Sequence, residues 1–206
     1  GKIATRLGNG LAPLEPGETD TVIIAGMGGD LICKILKAKP EFLIEGKEFI
    51  LQPQSEWFKV RRLLKEYHYQ IEKEWFLKED GKYYVIIKAE PAWTQPQRLK
   101  HQQPSIHEYI KEISETPANQ AVSEKDMESI YEQYGKYLIE TKNPVLKEYL
   151  KKEITKKESI AAELKQSIKE MESEELSGKE RGNIAKRQRR YQEIQKEIRD
   201  MRKAIG

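Results

Sequence analysis

Ile23-Ile24-Ala25-Gly26-Met27-Gly28-Gly29-Asp30-Leu31-Ile32 reads as the end of a buried strand, a glycine turn and the opening of a helix. Outward from it, Thr21-Val22-Ile23-Ile24-Ala25 is continuously apolar and rich in β-branched residues, the pattern of a strand covered on both faces in a parallel sheet. A helix is expected from about Asp30 to Lys37, with Leu31, Ile32, Ile35 and Leu36 as its inner face and Asp30 as its cap. The unit then repeats. Glu48 to Leu51 is a second short strand, Gln52-Pro53-Gln54-Ser55 breaks it, and Glu56 to Tyr67 carries Trp57, Val60, Leu63 and Leu64 at helical spacing. Strand, helix, strand, helix specifies an α/β sheet. Ile3 to Leu7 is a further strand candidate, ended by Gly8-Asn9-Gly10. Tyr69 to Leu77 and Tyr83 to Ala89 flank Asp80-Gly81, a dipeptide suited to a tight hairpin, so the sheet should finish with an antiparallel pair.

Beyond residue 91 the chain changes character. Pro91 to Gln120 is rich in Pro and Gln, a connector composition. A helix signal follows at Ser123-Glu124-Lys125-Asp126 and runs through Ile130, Tyr134 and Leu138, and Asn143-Pro144 places a cap before a first-turn proline. Leu150, Ile154, Ala161, Leu164, Ile168 and Met171 then follow heptad spacing, with Lys157 as one polar slot. After Ser177-Gly178, a second seam contains Ile184, Tyr191, Ile194, Ile198, Met201 and Ile205, and the two seams predict an antiparallel helical hairpin. The expected division is 1–91 for the sheet, 92–122 for the connector and 123–206 for a helical coiled-coil domain.

Charged residues make up 34% of the 206 and the net charge is only +3, yet from Lys179 to Lys203 ten Lys or Arg face four carboxylates. No apolar run reaches the roughly 18 residues a membrane span needs, and no leader-like start is present, which gives the expectation of a cytoplasmic protein. Cys33 stands among apolar residues as a small buried side chain. His68, His101 and His107 show no ligand spacing, and no metal is expected.

Three strand ends should converge in such a sheet: Gly8-Asn9-Gly10, Ala25 to Gly29, and Gln52-Pro53-Gln54. Gly26, Gly28 and Gly29 would let a ligand approach the backbone. A dinucleotide fingerprint would need glycine where Leu31 stands, no GK[ST] follows, and Asp30 at the helix start would repel a phosphate. A donor with a neutral base and a cationic centre, such as S-adenosylmethionine, suits strand-end carbonyls better.

The series GNGL, a strand into IAGMGG, then ILQPQ, then EDGKYY, with YGKYLIETKNPVLKEYL later, resembles the bacterial tRNA (adenine-N1)-methyltransferases of the TrmK family over almost the whole chain. The resemblance implies the C-terminal half of a class I, Rossmann-like methyltransferase sheet followed by a coiled-coil hairpin. It also implies methyl transfer from S-adenosylmethionine to N1 of adenine 22 in tRNA. By resemblance, Gly8, Asn9, Gly10, Ala25 and Gly26 would bind the donor, with Asn9 at the adenine edge. Gly26, Met27 and Gly28 would line the place where the methyl group moves, and Gln52, Pro53 and Gln54 would contact the target base. Such a domain begins with a glycine-rich loop and an acidic ribose-binding residue that are missing from this sequence, so the chain is expected to correspond to a member lacking its N-terminal half-sheet and to bind the donor poorly alone.

Lys186, Arg187, Arg189 and Arg190 form the densest basic cluster and are the expected tRNA contacts. An RNA-binding scaffold with a remnant methyltransferase fold is the alternative from a different functional class.

Overall fold

The computed structural model describes residues 3–92, 118–172 and 178–206. The chain divides into two compact units, one ending at Thr141 and the other spanning Lys142–Gly206.

In the first unit, β1 (Thr21–Met27), α1 (Gly29–Ala38), the short α2 (Pro40–Ile44), β2 (Glu48–Pro53), α3 (Trp57–Glu66), β3 (Tyr69–Glu79) and β4 (Lys82–Pro91) follow in chain order. The strands form one mixed sheet in the order β1-β2-β4-β3, with β1 and β2 parallel and β4 antiparallel to both of its neighbours. The hairpin lies where the dipeptide placed it: Asp80 and Gly81 both have positive φ, 47° and 77°, as a two-residue turn of this hand requires, and Glu79 pairs with Lys82.

One face of the sheet carries the core. Val22, Ile24, Phe49, Leu51, Phe76, Val85, Ile87 and Ala89 are buried there, with Ile32, Leu36, Val60, Leu63 and Leu64 from the helices. Trp57 meets the Phe76 ring edge-on at 5.5 Å between centroids. Leu31 departs from the inner face expected for α1: it is exposed, and the face narrows to Ile32 and Leu36 because α1 touches the sheet along a single stripe.

β1 also departs from expectation. Its burial alternates, with Val22 and Ile24 inside and Ile23 67% exposed, because β1 is the edge strand and Ile23 lies on the face opposite the core. On that second face the Lys88 ammonium lies 2.8–3.0 Å from the carboxylates of Glu48, Glu72 and Glu90, which hold it well above the usual lysine range. The strand expected at Ile3–Leu7 is irregular backbone; no strand pairs with it among the described residues, and Arg6 instead reaches forward to Glu18 at 2.5 Å.

The helix expected from Ser123 begins earlier and ends sooner, as α4 (Ala118–Tyr134), and Leu138 belongs to a separate α5 (Lys136–Glu140). The break is Gly135, whose φ is 91° and where a Cβ would stand 2.4 Å from Glu74 Oε2. Beneath it lies a buried ion pair, Arg61 Nε to Glu74 Oε1 at 2.8 Å. Burial pushes the Glu74 carboxyl up from its ordinary value, and Arg61 partly offsets the shift. The same guanidinium donates through Nη1 to the carbonyls of Glu132 and Gln133, both at 3.0 Å, so one side chain ties α3, β3 and the end of α4 together. These ties place α4 and α5 with the sheet, and the two units meet at Thr141–Lys142, later than the expected boundary at 122–123. Residues 93–117 of the expected connector lie outside the described residues.

The second unit consists of α6 (Pro144–Glu172) and α7 (Gly178–Ile205), packed along each other. Asn143 caps α6, its Oδ1 accepting the N–H groups of Val145 and Leu146 at 3.0 Å. Leu146, Leu150, Ile154, Ala161 and Ile168 are buried from α6, and Ile184, Ile194, Ile198, Met201 and Ala204 from α7. Ala204 takes the inward place expected for Ile205, which is half-buried. The polar slot at Lys157 is filled by an ion pair with Glu197, and Arg202 reaches Glu158 at 2.6 Å. Ser177 of the expected link lies outside the described residues.

Candidate functional site

The glycine turn is built by the ends of β1 and β2 together. The pairing of Ala25 with Gln52 and of Met27 with Pro53 leaves Gly26 as an extra residue, a bulge. Its φ of 78° is one that side-chain-bearing residues rarely adopt, and no atom of the described residues lies within 4 Å of where a Cβ would be, so the glycine is required by backbone. The bulge takes the Gly26 N–H out of the ladder, and Gln52 Oε1 accepts it at 2.8 Å. Gln54 N–H donates to the Met27 carbonyl at 2.8 Å, closing the two strand ends.

Gly28, with φ −63° and ψ 147°, is the residue that caps α1; Asp30 makes no cap, contrary to expectation, because it already lies within the first helical turn. The free N–H groups of that turn are occupied from the β2–α3 loop: Ser55 O accepts the Gly29 N–H at 2.9 Å, and Glu56 Oε2 accepts the Asp30 N–H at 3.3 Å. Gly29 is needed for this approach, since a Cβ there would fall 2.6 Å from the Glu56 carbonyl oxygen. A helix start already satisfied by a carbonyl and a carboxylate has no vacancy for phosphate, the conclusion drawn from Asp30 in the sequence but reached through different atoms. Asp30 lies 2.8 Å from Lys34 and 3.0 Å from Lys59, and these two ammonium groups hold its carboxyl below the usual range. Lys59 also pairs with Glu56 at 2.5 Å.

Ala25, Gly26 and Met27 are exposed at this end of the sheet, Gly28 and Gln52 are half-buried, Gln54 is exposed, and Pro53 is buried toward the helices. Of the third loop, a Cβ on Gly10 would stand 2.8 Å from Ile35, six residues and about 9 Å beyond the start of α1, and one on Gly8 2.7 Å from Pro13. Described contacts thus unite two of the three expected loops. Ser55, Glu56 and Lys59 were missed by sequence reading; Glu56, at φ 52°, carries no motif that announces a left-handed residue or a carboxylate folded onto a neighbouring helix. Among the described residues no group of three His, Cys, Asp or Glu side chains is placed to hold a metal ion, and no helix is long and apolar enough to cross a membrane.

On α7, Lys186, Arg187, Arg189 and Arg190 are all exposed. Arg189 and Arg190 share Glu193, at 3.5 and 3.2 Å, and Arg187 donates to the Ser167 hydroxyl.

Residues 1–199 match the family described as TrmK: tRNA (adenine(22)-N(1))-methyltransferase. The chain belongs to this family. A curated relative in Bacillus subtilis (strain 168), a tRNA (adenine(22)-N(1))-methyltransferase, is 41% identical over 88 residues, 43% of this chain and 37% of the relative. The match therefore spans little more than a third of that relative's length. Among solved structures, the B. subtilis m1A22 tRNA methyltransferase TrmK superposes with a TM-score of 0.63 at 23% identity, covering 98% of this chain and 69% of that one. M. capricolum TrmK, solved with S-adenosyl-homocysteine, gives 0.57 at 20% identity, covering 98% and 67%. At these identities the structural agreement is one of fold: an α/β sheet of mixed direction with helices.

Proposed function

We propose that this chain acts in S-adenosylmethionine-dependent methylation of N1 of adenine 22 in tRNA. The observation that carries the proposal is the family match over 1–199, whose glycine segment the structure shapes into an exposed bulge at the paired ends of β1 and β2. The bulge suits the donor chemically, because the missing Cβ leaves its backbone open to a ligand while the phosphate-binding N–H groups of the helix start are already taken. When bound, the donor supplies an electrophilic methyl group on a sulfonium.

Adenine N1 already holds an in-plane lone pair, so the protein's task is to align two reactants rather than to remove a proton. That task fits a site formed from Ala25, Gly26, Met27 and Gly28 with no histidine or paired carboxylates in the turn. Met27, 37% exposed, forms a soft apolar wall. The strand-end carbonyls stabilise the positive charge gained by the base. Gln52 and Gln54 contact the base or its ribose, while buried Pro53 holds the strand end from inside. The assignment of Gly8, Asn9 and Gly10 to the donor's adenine rests on the resemblance alone.

In this reading residues 1–91 are the C-terminal part of the catalytic domain, in the cytoplasm, and the α6–α7 pair is a coiled-coil hairpin that binds tRNA through Lys186, Arg187, Arg189 and Arg190. Support for the hairpin comes from the contacts Glu158–Arg202 and Ser167–Arg187, in which numbers rise along α6 as they fall along α7, together with the heptad-spaced buried residues. Replacing Arg187, Arg189 and Arg190 by Glu is expected to weaken binding of unmodified tRNA and to reduce the slope of log K against log salt by about 2 to 3. Unchanged affinity would remove the hairpin from the proposal.

A further inference from the structure

The Gln52 carboxamide has one end in use and one end free. Its Oε1 accepts the Gly26 N–H at 2.8 Å, and because a backbone N–H can only donate, this contact fixes which end of the amide is oxygen. Nε2 is left with two hydrogens, shielded from solvent and without an acceptor among the described residues. Such a donor is costly to leave unmet. Beside it Ala25 and Gly26 are exposed, and no atom of the described residues lies within 4 Å of the missing Gly26 Cβ.

We infer that Gln52 is a positioning residue that donates a hydrogen bond from Nε2 to a ring acceptor of the target purine, N3 or N7, while its Oε1 holds the Gly26 bulge. The inference rests on the methyltransferase reading of this site and deepens it. A bond to N1 would tie up the lone pair that attacks the methyl carbon, so the donor has to engage the ring away from the reacting nitrogen. N3 and N7 are common to adenine and guanine. Gln52 therefore orients the base without choosing adenine over guanine.

Two substitutions separate the two ends. Gln52→Glu keeps an oxygen for the Gly26 N–H and removes the donor, whereas Gln52→Leu removes both. The full chain is titrated by fluorescence anisotropy with unmodified tRNA bearing adenosine, 3-deazaadenosine or 7-deazaadenosine at position 22, and the same RNAs are assayed for N1-methyladenine. Wild type is expected to lose about 3- to 10-fold in affinity on one of the two deaza RNAs, the range of one neutral hydrogen bond. Gln52→Glu should be weaker on natural tRNA and lose nothing further on that deaza RNA, since partners in one bond are not additive. Its thermal midpoint should stay near wild type, with Gln52→Leu lower. The inference is overturned if wild type binds all three RNAs alike, if Gln52→Glu shows the same deaza loss as wild type, or if it melts with Gln52→Leu. Methylation that persists without the coupling defeats this inference alone, whereas absence of N1-methyladenine with every RNA, or of any tRNA affinity, defeats the reading beneath it and this inference with it.

Discussion

The two units of the chain are held by different physics. The sheet unit buries aromatic and branched side chains between strands and helices and fastens α4 with one ion pair whose side chains are 4% and 0% exposed. The α6–α7 unit has a single apolar seam, and the ion pairs along it are partly or largely exposed to water. Exposed pairs contribute little, so this unit should depend on its seam alone, whereas the sheet unit has a polar contact that cannot be broken cheaply.

Arg61→Ala puts the difference to its hardest test. Leaving Glu74 buried without its partner is expected to cost the sheet unit about 3–5 kcal/mol, read by hydrogen exchange in β3 and β4 during denaturant unfolding, with α6 and α7 unmoved. A pH dependence should accompany it. Burial raises the Glu74 carboxyl, and a raised acid favours the fold below its unfolded pKa and loses that contribution as pH rises through the folded value. Without the Arg61 charge the carboxyl is raised further, so the deficit should be larger at pH 8 than at pH 5; a deficit that does not grow with pH would contradict the pairing.

Leu150→Ala addresses the seam. Leu150 is fully buried, and the loss is expected to be about 2–5 kcal/mol, confined to α6 and α7. Lys157→Ala in the same seam should cost no more than about 1 kcal/mol, and a larger loss would show that the polar slot stabilises rather than merely tolerates its ion pair.

The smallest effect concerns the loop before β1. Arg6, by its side-chain hydrogen bond, holds the Glu18 carboxyl at about 2 against an ordinary 4.5. A depressed acid adds stability above its unfolded pKa and loses it as pH falls toward the folded value, so the loop should loosen between about pH 4.5 and 2. NMR titration of Glu18 with an ordinary midpoint would show that the pair does not persist in solution.

Much of this was legible in the residues. Asp80-Gly81, Asn143-Pro144 and the α6–α7 spacing each state their structure locally, through positive φ, a cap and a period. Less legible were features made by residues far apart. The break at Gly135 depends on Arg61 and Glu74, and α1 is satisfied at its start by Ser55 and Glu56 rather than by Asp30. The β1 pattern of an interior strand could not reveal that Ile23 faces open space. At the candidate site the glycines announced a turn, but not that Gln52 would supply the hydrogen-bond acceptor the bulge removes from the ladder.

The central claim is most directly tested by methyl incorporation from labelled S-adenosylmethionine into unmodified bacterial tRNA, using this chain and the same chain preceded by catalytic-domain sequence from the Bacillus subtilis relative. N1-methyladenine at position 22 from at least one of the two, lost on Gly26→Val, is the expected result. No label from either, with tRNA binding intact, would contradict the claim and leave an RNA-binding scaffold.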